Sequence, residues 1–123
     1  MRMMTLLLTG LMWASMPAQA LEIAGVKLAD TERAGETMLQ LNGAGVRSRL
    51  LFKVYVAALY LPARQTRADA VLAAPPPRRM QLVMLRDLSA DTFSEALHKG
   101  LSSNASAPQL AALAPRLAEF DVL

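Results

Sequence analysis

Residues 46–61 limit the folds open to this chain more than any other stretch. The segment is rich in β-branched, aromatic and aliphatic side chains, a composition that fits a pleated, half-buried strand. Its even positions include Val46, Leu50, Phe52, Val54, Val56, Ala58 and Tyr60. Its odd positions are Arg47, Arg49, Leu51, Lys53, Tyr55, Ala57, Leu59 and Leu61, charged at first and apolar later. Successive side chains of a strand point to opposite faces. The pattern therefore predicts one face in the core throughout, and a second that starts polar and becomes buried toward Leu61. Pro62 stops the run.

The flanking segments supply partners for such a strand. Residues 22–28 read as a short strand around Gly25, and Ala29-Asp30-Thr31 as a turn. Residues 37–41 read as a second short strand closed by Asn42-Gly43, and Gly43-Ala44-Gly45 as a small-residue corner. Thr66 is placed to cap a short helix over 67–74, which Pro75-Pro76-Pro77 ends. Residues 79–88 read as a further strand, long enough to cross a sheet. Met80 and Met84 share its parity as core filler, and Arg78-Arg79 is its solvated start.

Ser89 is then a helix cap, and Phe93, Ala96, Leu97, Gly100 and Leu101 recur on one helical face. Ser102-Ser103-Asn104 ends that helix. Ser106 with Gln109 three residues on is a capping box, with Pro108 tolerated in the first turn. Leu110, Leu113, Leu117 and Phe120 continue an apolar stripe that Pro115 is expected to kink. The order predicts an α+β domain with helices packed on one side of an antiparallel sheet.

The N-terminus reads as an export signal. Arg2 is followed by an uncharged apolar run over 3–14, then Pro17 and the small residues of Ala18-Gln19-Ala20. A charged start, a short apolar run and an A-x-A site mark a cleaved secretory leader. Spanning a bilayer takes about 20 apolar residues, and residues 3–16 fall short of that. The division expected is a leader over 1–20 and one domain over 21–123, periplasmic or secreted. No second apolar run is long enough to span a membrane. The leader takes one base and no acid, so the formal charge of +3 falls by one. The remaining charge is spread along the chain and does not argue for nucleic acid. Cysteine is absent, which excludes disulfides and a lipoprotein anchor, so the exported domain must hold by packing alone.

Few side chains suggest chemistry. His98 is the sole histidine, lies off the apolar helix face, and has no cysteine to share a metal with. Asp91 and Glu95 flank it without ligand spacing. Ser94 and Ser106 have no histidine and acid at a diagnostic spacing, so a hydrolase is not supported. No metal site and no cofactor is expected.

Leu41-Asn42-Gly43-Ala44-Gly45-Val46-Arg47, with Phe52-Lys53-Val54-Tyr55-Val56-Ala57-Ala58-Leu59-Tyr60-Leu61-Pro62 behind it, resembles the chalcone isomerase superfamily. It is most similar to the exported bacterial chalcone isomerase-like proteins. Glu22-Ile23-Ala24-Gly25-Val26 and the Arg86-Asp87-Leu88-Ser89 junction extend the resemblance over 21–123. It implies an open-faced β-sandwich, a long sheet covered by helices on one side, with ligand in the cleft between. In true chalcone isomerases an arginine, a threonine, and a tyrosine, lysine and asparagine of a helix surround a flavonoid, whose phenolate adds to an enone. Arg47 matches the arginine. Tyr55 stands at the threonine position, Phe93 at the tyrosine, Ala96 at the lysine and Gly100 at the asparagine. The helix side thus lacks donors for a developing enolate, and losing one such donor costs a hundredfold or more. The resemblance also implies a chain that stops short, because relatives continue with further strands and a final helix.

Three functions are compatible with these residues. The first is a non-catalytic binder of a hydrophobic carboxylate such as a fatty acid, with Arg47 pairing the carboxylate and Tyr55 assisting. The second is an isomerase of intramolecular lyase type with a rearranged site. The third is a structural or assembly module of the envelope without a small ligand. Arg47 also fits a plain surface position on a strand, and Tyr55 a core tyrosine with a satisfied hydroxyl.

Overall fold

Three two-residue turns organise the β structure of residues 20–122, the part described by the structure, a computed structural model. The expected leader, residues 1–19 with Ala20 at its end, lies almost entirely outside the described residues. The first turn, Ala24-Gly25, joins β1 (Leu21–Ile23) to β2 (Val26–Leu28). Both turn residues have positive φ, 50° and 78°, as a turn matching the right-handed strand twist requires. The second, Gly35-Glu36, joins β3 (Thr31–Ala34) to β4 (Thr37–Arg49), with Gly35 at φ 60°. The third, Leu50-Leu51, joins β4 to β5 (Phe52–Leu61), with Leu50 at φ 54°. After α1 (Ala68–Ala73), β6 (Arg79–Met84) completes an antiparallel sheet of order β3-β4-β5-β6. The β1-β2 hairpin forms a separate two-stranded sheet.

Residues 46–61 are therefore not one strand. They are the two arms of a hairpin, and the predicted continuous core face holds only in the second arm. Val56, Ala58 and Tyr60 are buried, but Leu50, Leu51 and Phe52 are 90%, 95% and 52% exposed. The other face behaves as expected toward its end, where Leu61 is fully buried.

Nor does a corner close a strand at Asn42-Gly43. β4 runs on through Gly45, and the register slips between Leu41 and Gly43. This bulge leaves Asn42 unpaired and swaps the parity of β4. Leu39 and Leu41 are core residues before it, and Ala44 packs on the same core after it. Asn42 Oδ1 accepts a hydrogen bond from the Gln65 backbone N–H at 2.7 Å, which ties the loop after β5 to the bulge.

The core lies on one face of the sheet. Leu28, Leu39, Leu41, Val56, Ala58 and Tyr60 form it, with Ile23 and Val26 of the first hairpin packed against them. Tyr60 donates its hydroxyl to the Ala29 carbonyl at 2.9 Å. Burial first, and Glu32 second, push its phenol above the ordinary tyrosine range, so it remains a neutral donor. Arg79 on one edge strand meets Glu32 on the other at 3.6 Å, bridging the curled sheet.

The helices follow their caps. α1 starts after Arg67, which has extended backbone and makes no side-chain capping bond, so Thr66 is not the cap. The expected strand over 79–88 ends at Met84. Ser89 caps α2 (Ala90–Asn104) by accepting from the Thr92 N–H, and Ser106 with Gln109 forms a full capping box on α3 (Ala107–Phe120). α3 passes through Pro115, which forfeits one backbone bond without ending the helix. Phe93 and Phe120 meet with ring centroids 6.0 Å apart, joining α2 to α3.

Candidate functional site

The register of the long hairpin brings the two predicted ligand residues together. Arg47 pairs directly with Tyr55, and Tyr55 with Met84 on the next strand. Directly paired residues project to the same face. The next row along that face is Gly45, Ala57 and Leu82, and the one beyond is Gly43, Leu59 and Met80. This is the face opposite the core, since Val56, Ala58 and Tyr60 point the other way.

The resulting surface carries Arg47 at one end and Gln40, paired with Leu61, at the other. Tyr55, Ala57, Leu59 and Leu82 are half-buried, whereas Arg47 is exposed. Gly43 and Gly45 have negative φ, and a Cβ built on either meets nothing within 4 Å. They are not demanded by a turn or by close backbone approach. Their effect is to leave β4 bare beside Ala57 and Leu59. Four strand steps separate Gly43 from Arg47, so the strip between them is about 13 Å long at 3.3 Å per residue. Among the described residues Arg47 forms no ion pair, and neither it nor the Tyr55 hydroxyl has a side-chain hydrogen bond. A second register slip, between Arg47 and Ser48, sits directly beyond this pair and skips Val54. Bulges re-aim side chains locally.

The three positions on α2 add no polar group. Phe93 is half-buried and engaged with Phe120. Ala96 and Gly100 are exposed. Sequence reasoning missed a different cluster on the same helix. Ser94 and His98, one turn apart, both reach Asp121 at the end of α3. The Ser94 hydroxyl donates to Asp121 Oδ1, and His98 Nε2 lies 3.0 Å from Oδ2. The i, i+4 spacing of Ser94 and His98 was legible in the sequence; the acid comes from tertiary packing. A nucleophilic serine needs a base on its own oxygen. Here the carboxylate takes both partners, so the cluster ties α2 to α3. The Ser94 hydrogen bond holds the Asp121 carboxyl below the usual aspartate range; burial opposes it, and the hydrogen bond and charge of His98 add to it.

Among the described residues no group of three or more His, Asp or Glu side chains is placed to hold a metal ion, and no helix is long and apolar enough to cross a membrane. A family model described as chalcone isomerase-like matches residues 20–123. No curated protein and no solved structure matches the chain.

Proposed function

The chain belongs to the chalcone isomerase-like family, and from that premise we propose that it is an exported, non-catalytic binder of a hydrophobic carboxylate such as a fatty acid. One observation carries the reading: Arg47, which among the described residues has no ion-pair partner, is paired in register with Tyr55 at one end of a strip formed by Ala57, Leu59 and Leu82. A fatty acid has the complementary shape, one anionic head and one apolar tail. Arg47 would take the carboxylate through charge-assisted hydrogen bonds, Tyr55 would donate a further one, and the tail would lie over Ala57, Leu59 and Leu82. Catalysis of chalcone closure needs donors around the developing enolate. Phe93, Ala96 and Gly100 supply none, which favours binding over turnover. The leader over 1–20 supports work outside the cytoplasm.

The test is the acid that the purified protein retains. The full chain is exported in a bacterial host, purified without detergent, extracted and analysed by mass spectrometry. A stoichiometric fatty acid that Arg47→Ala loses supports the proposal. Retention by Arg47→Ala equal to the parent sinks it. A cyclisation rate for a chalcone above background that depends on Arg47 would instead establish the isomerase reading.

A further inference from the structure

The β4-β5 turn combines two features that a folding argument alone does not account for. The first is strain. Leu50 occupies the left-handed region at φ 54°, where a γ-branched L residue is disfavoured and glycine is usual. The corresponding position of the β3-β4 turn in the same sheet is Gly35, at φ 60°. The second is exposure. Leu50 and Leu51 are 90% and 95% exposed, and Phe52 beside them is 52% exposed. An apolar tip is thus held on a strained turn, with little packing among the described residues to offset it.

Along the hairpin, the charge beside the tip has one sign. Arg47, Arg49 and Lys53 flank it along the hairpin, and no acid lies between 47 and 53. Arg86 comes over the Phe52 ring, its guanidinium carbon 4.1 Å from the centroid. Among the described residues none of these four cations is in an ion pair. Asp87 is the one acid lining the adjoining cleft of ≈ 520 Å³, which Phe52, Val54, Leu85 and Leu88 also line. A strand added beside either edge of the sheet, β3 or β6, would pair along the strands and leave this turn uncovered.

We propose that the Leu50-Leu51 turn docks this protein on anionic lipid bilayers, inserting its two leucines below the headgroups while Arg49, Lys53 and Arg86 engage lipid phosphates. An apolar tip flanked by unpaired cations matches the membrane interface, where acyl chains lie beneath negative charge. The proposal does not depend on the fatty-acid reading.

The experiment is co-sedimentation with vesicles of phosphatidylglycerol and phosphatidylethanolamine, compared with phosphatidylcholine alone. Partitioning to the anionic vesicles is expected to exceed that to neutral ones by about fivefold or more for each cation engaged, and to fall with salt. Arg49→Gln and Arg86→Gln are each expected to lower it about fivefold. Leu50→Ser with Leu51→Ser is expected to lower it at least tenfold. Leu50→Gly, which keeps the turn, should fall between the parent and that double variant. Equal binding to both vesicle types, or unchanged binding by the double variant, overturns the proposal. So does self-association in size-exclusion chromatography that the double variant abolishes, since the tip would then be covered by a second copy. Loss of vesicle binding in the Leu50→Ser, Leu51→Ser double variant with fatty-acid retention intact separates the two readings.

Discussion

Replacing Leu50 by glycine should make the protein more stable. A left-handed backbone costs an L residue about 1–2 kcal/mol. Glycine removes that cost but gives up about 0.5–1 kcal/mol of backbone entropy on folding. The leucine side chain is 90% exposed, so little burial is lost with it. The net expected gain is about 0.5–1 kcal/mol, which for a domain of this size raises the melting temperature by roughly 2–8 °C. Gly35→Leu provides the mirror experiment. A Cβ there meets nothing within 4 Å, so its cost is conformational, and a loss of the same size is expected. The assay is urea unfolding followed by circular dichroism, with the slope checked for constancy. A midpoint for Leu50→Gly that is unchanged or lower would refute the strain argument, and with it the reason for regarding the leucine as retained for something other than folding.

Other perturbations probe the core and the helix pair. Tyr60→Phe removes the donor to the Ala29 carbonyl and is expected to cost about 1–2 kcal/mol, visible as a lower urea midpoint. Asp121→Asn removes the negative charge to which Ser94 and His98 both bond. Because the folded Asp121 carboxyl titrates below its unfolded value, its contribution is full above the ordinary aspartate range and is lost as pH falls through the lowered value. The variant should therefore melt below the parent at neutral pH and converge with it in strong acid. A gap that stayed constant across that range would show that the pair is not coupled to Asp121 ionisation. Ser106→Ala breaks the capping box of α3 and should cost about 1 kcal/mol, measured by the same melts.

The fold was legible wherever a local signal matched a local structure. Ser89, Ser106 and Gln109 act as caps because their side chains bond the first turn of their own helices. The third turn was hidden because Leu50-Leu51 carries none of the residues that turn chemistry favours. Two leucines inside an apolar run look like strand. Residues 31–34 escaped notice because Thr-Glu-Arg-Ala is polar and short, as an edge strand often is. The β4 bulge was hidden for another reason. Its parity change after Asn42 looks like an ending when only alternation is followed, and the partner strand alone shows that pairing resumes at Gly43. The site was partly legible. Arg47 and Tyr55 were singled out in the sequence, but their direct pairing depends on a turn that was missed. The grouping of Asp121 with Ser94 and His98 needed the packing of α2 on α3.

The most direct test of the binding account is the affinity of the protein for dodecanoate, measured by titration calorimetry for the parent and for Arg47→Ala. A charge-assisted contact contributes about 1.5–3 kcal/mol, so the variant should bind roughly tenfold to a hundredfold more weakly. Dodecanol, which has the same tail and no carboxylate, should bind both proteins alike. Equal dodecanoate affinities for parent and variant would contradict the account, because Arg47 would then have no part in holding the acid.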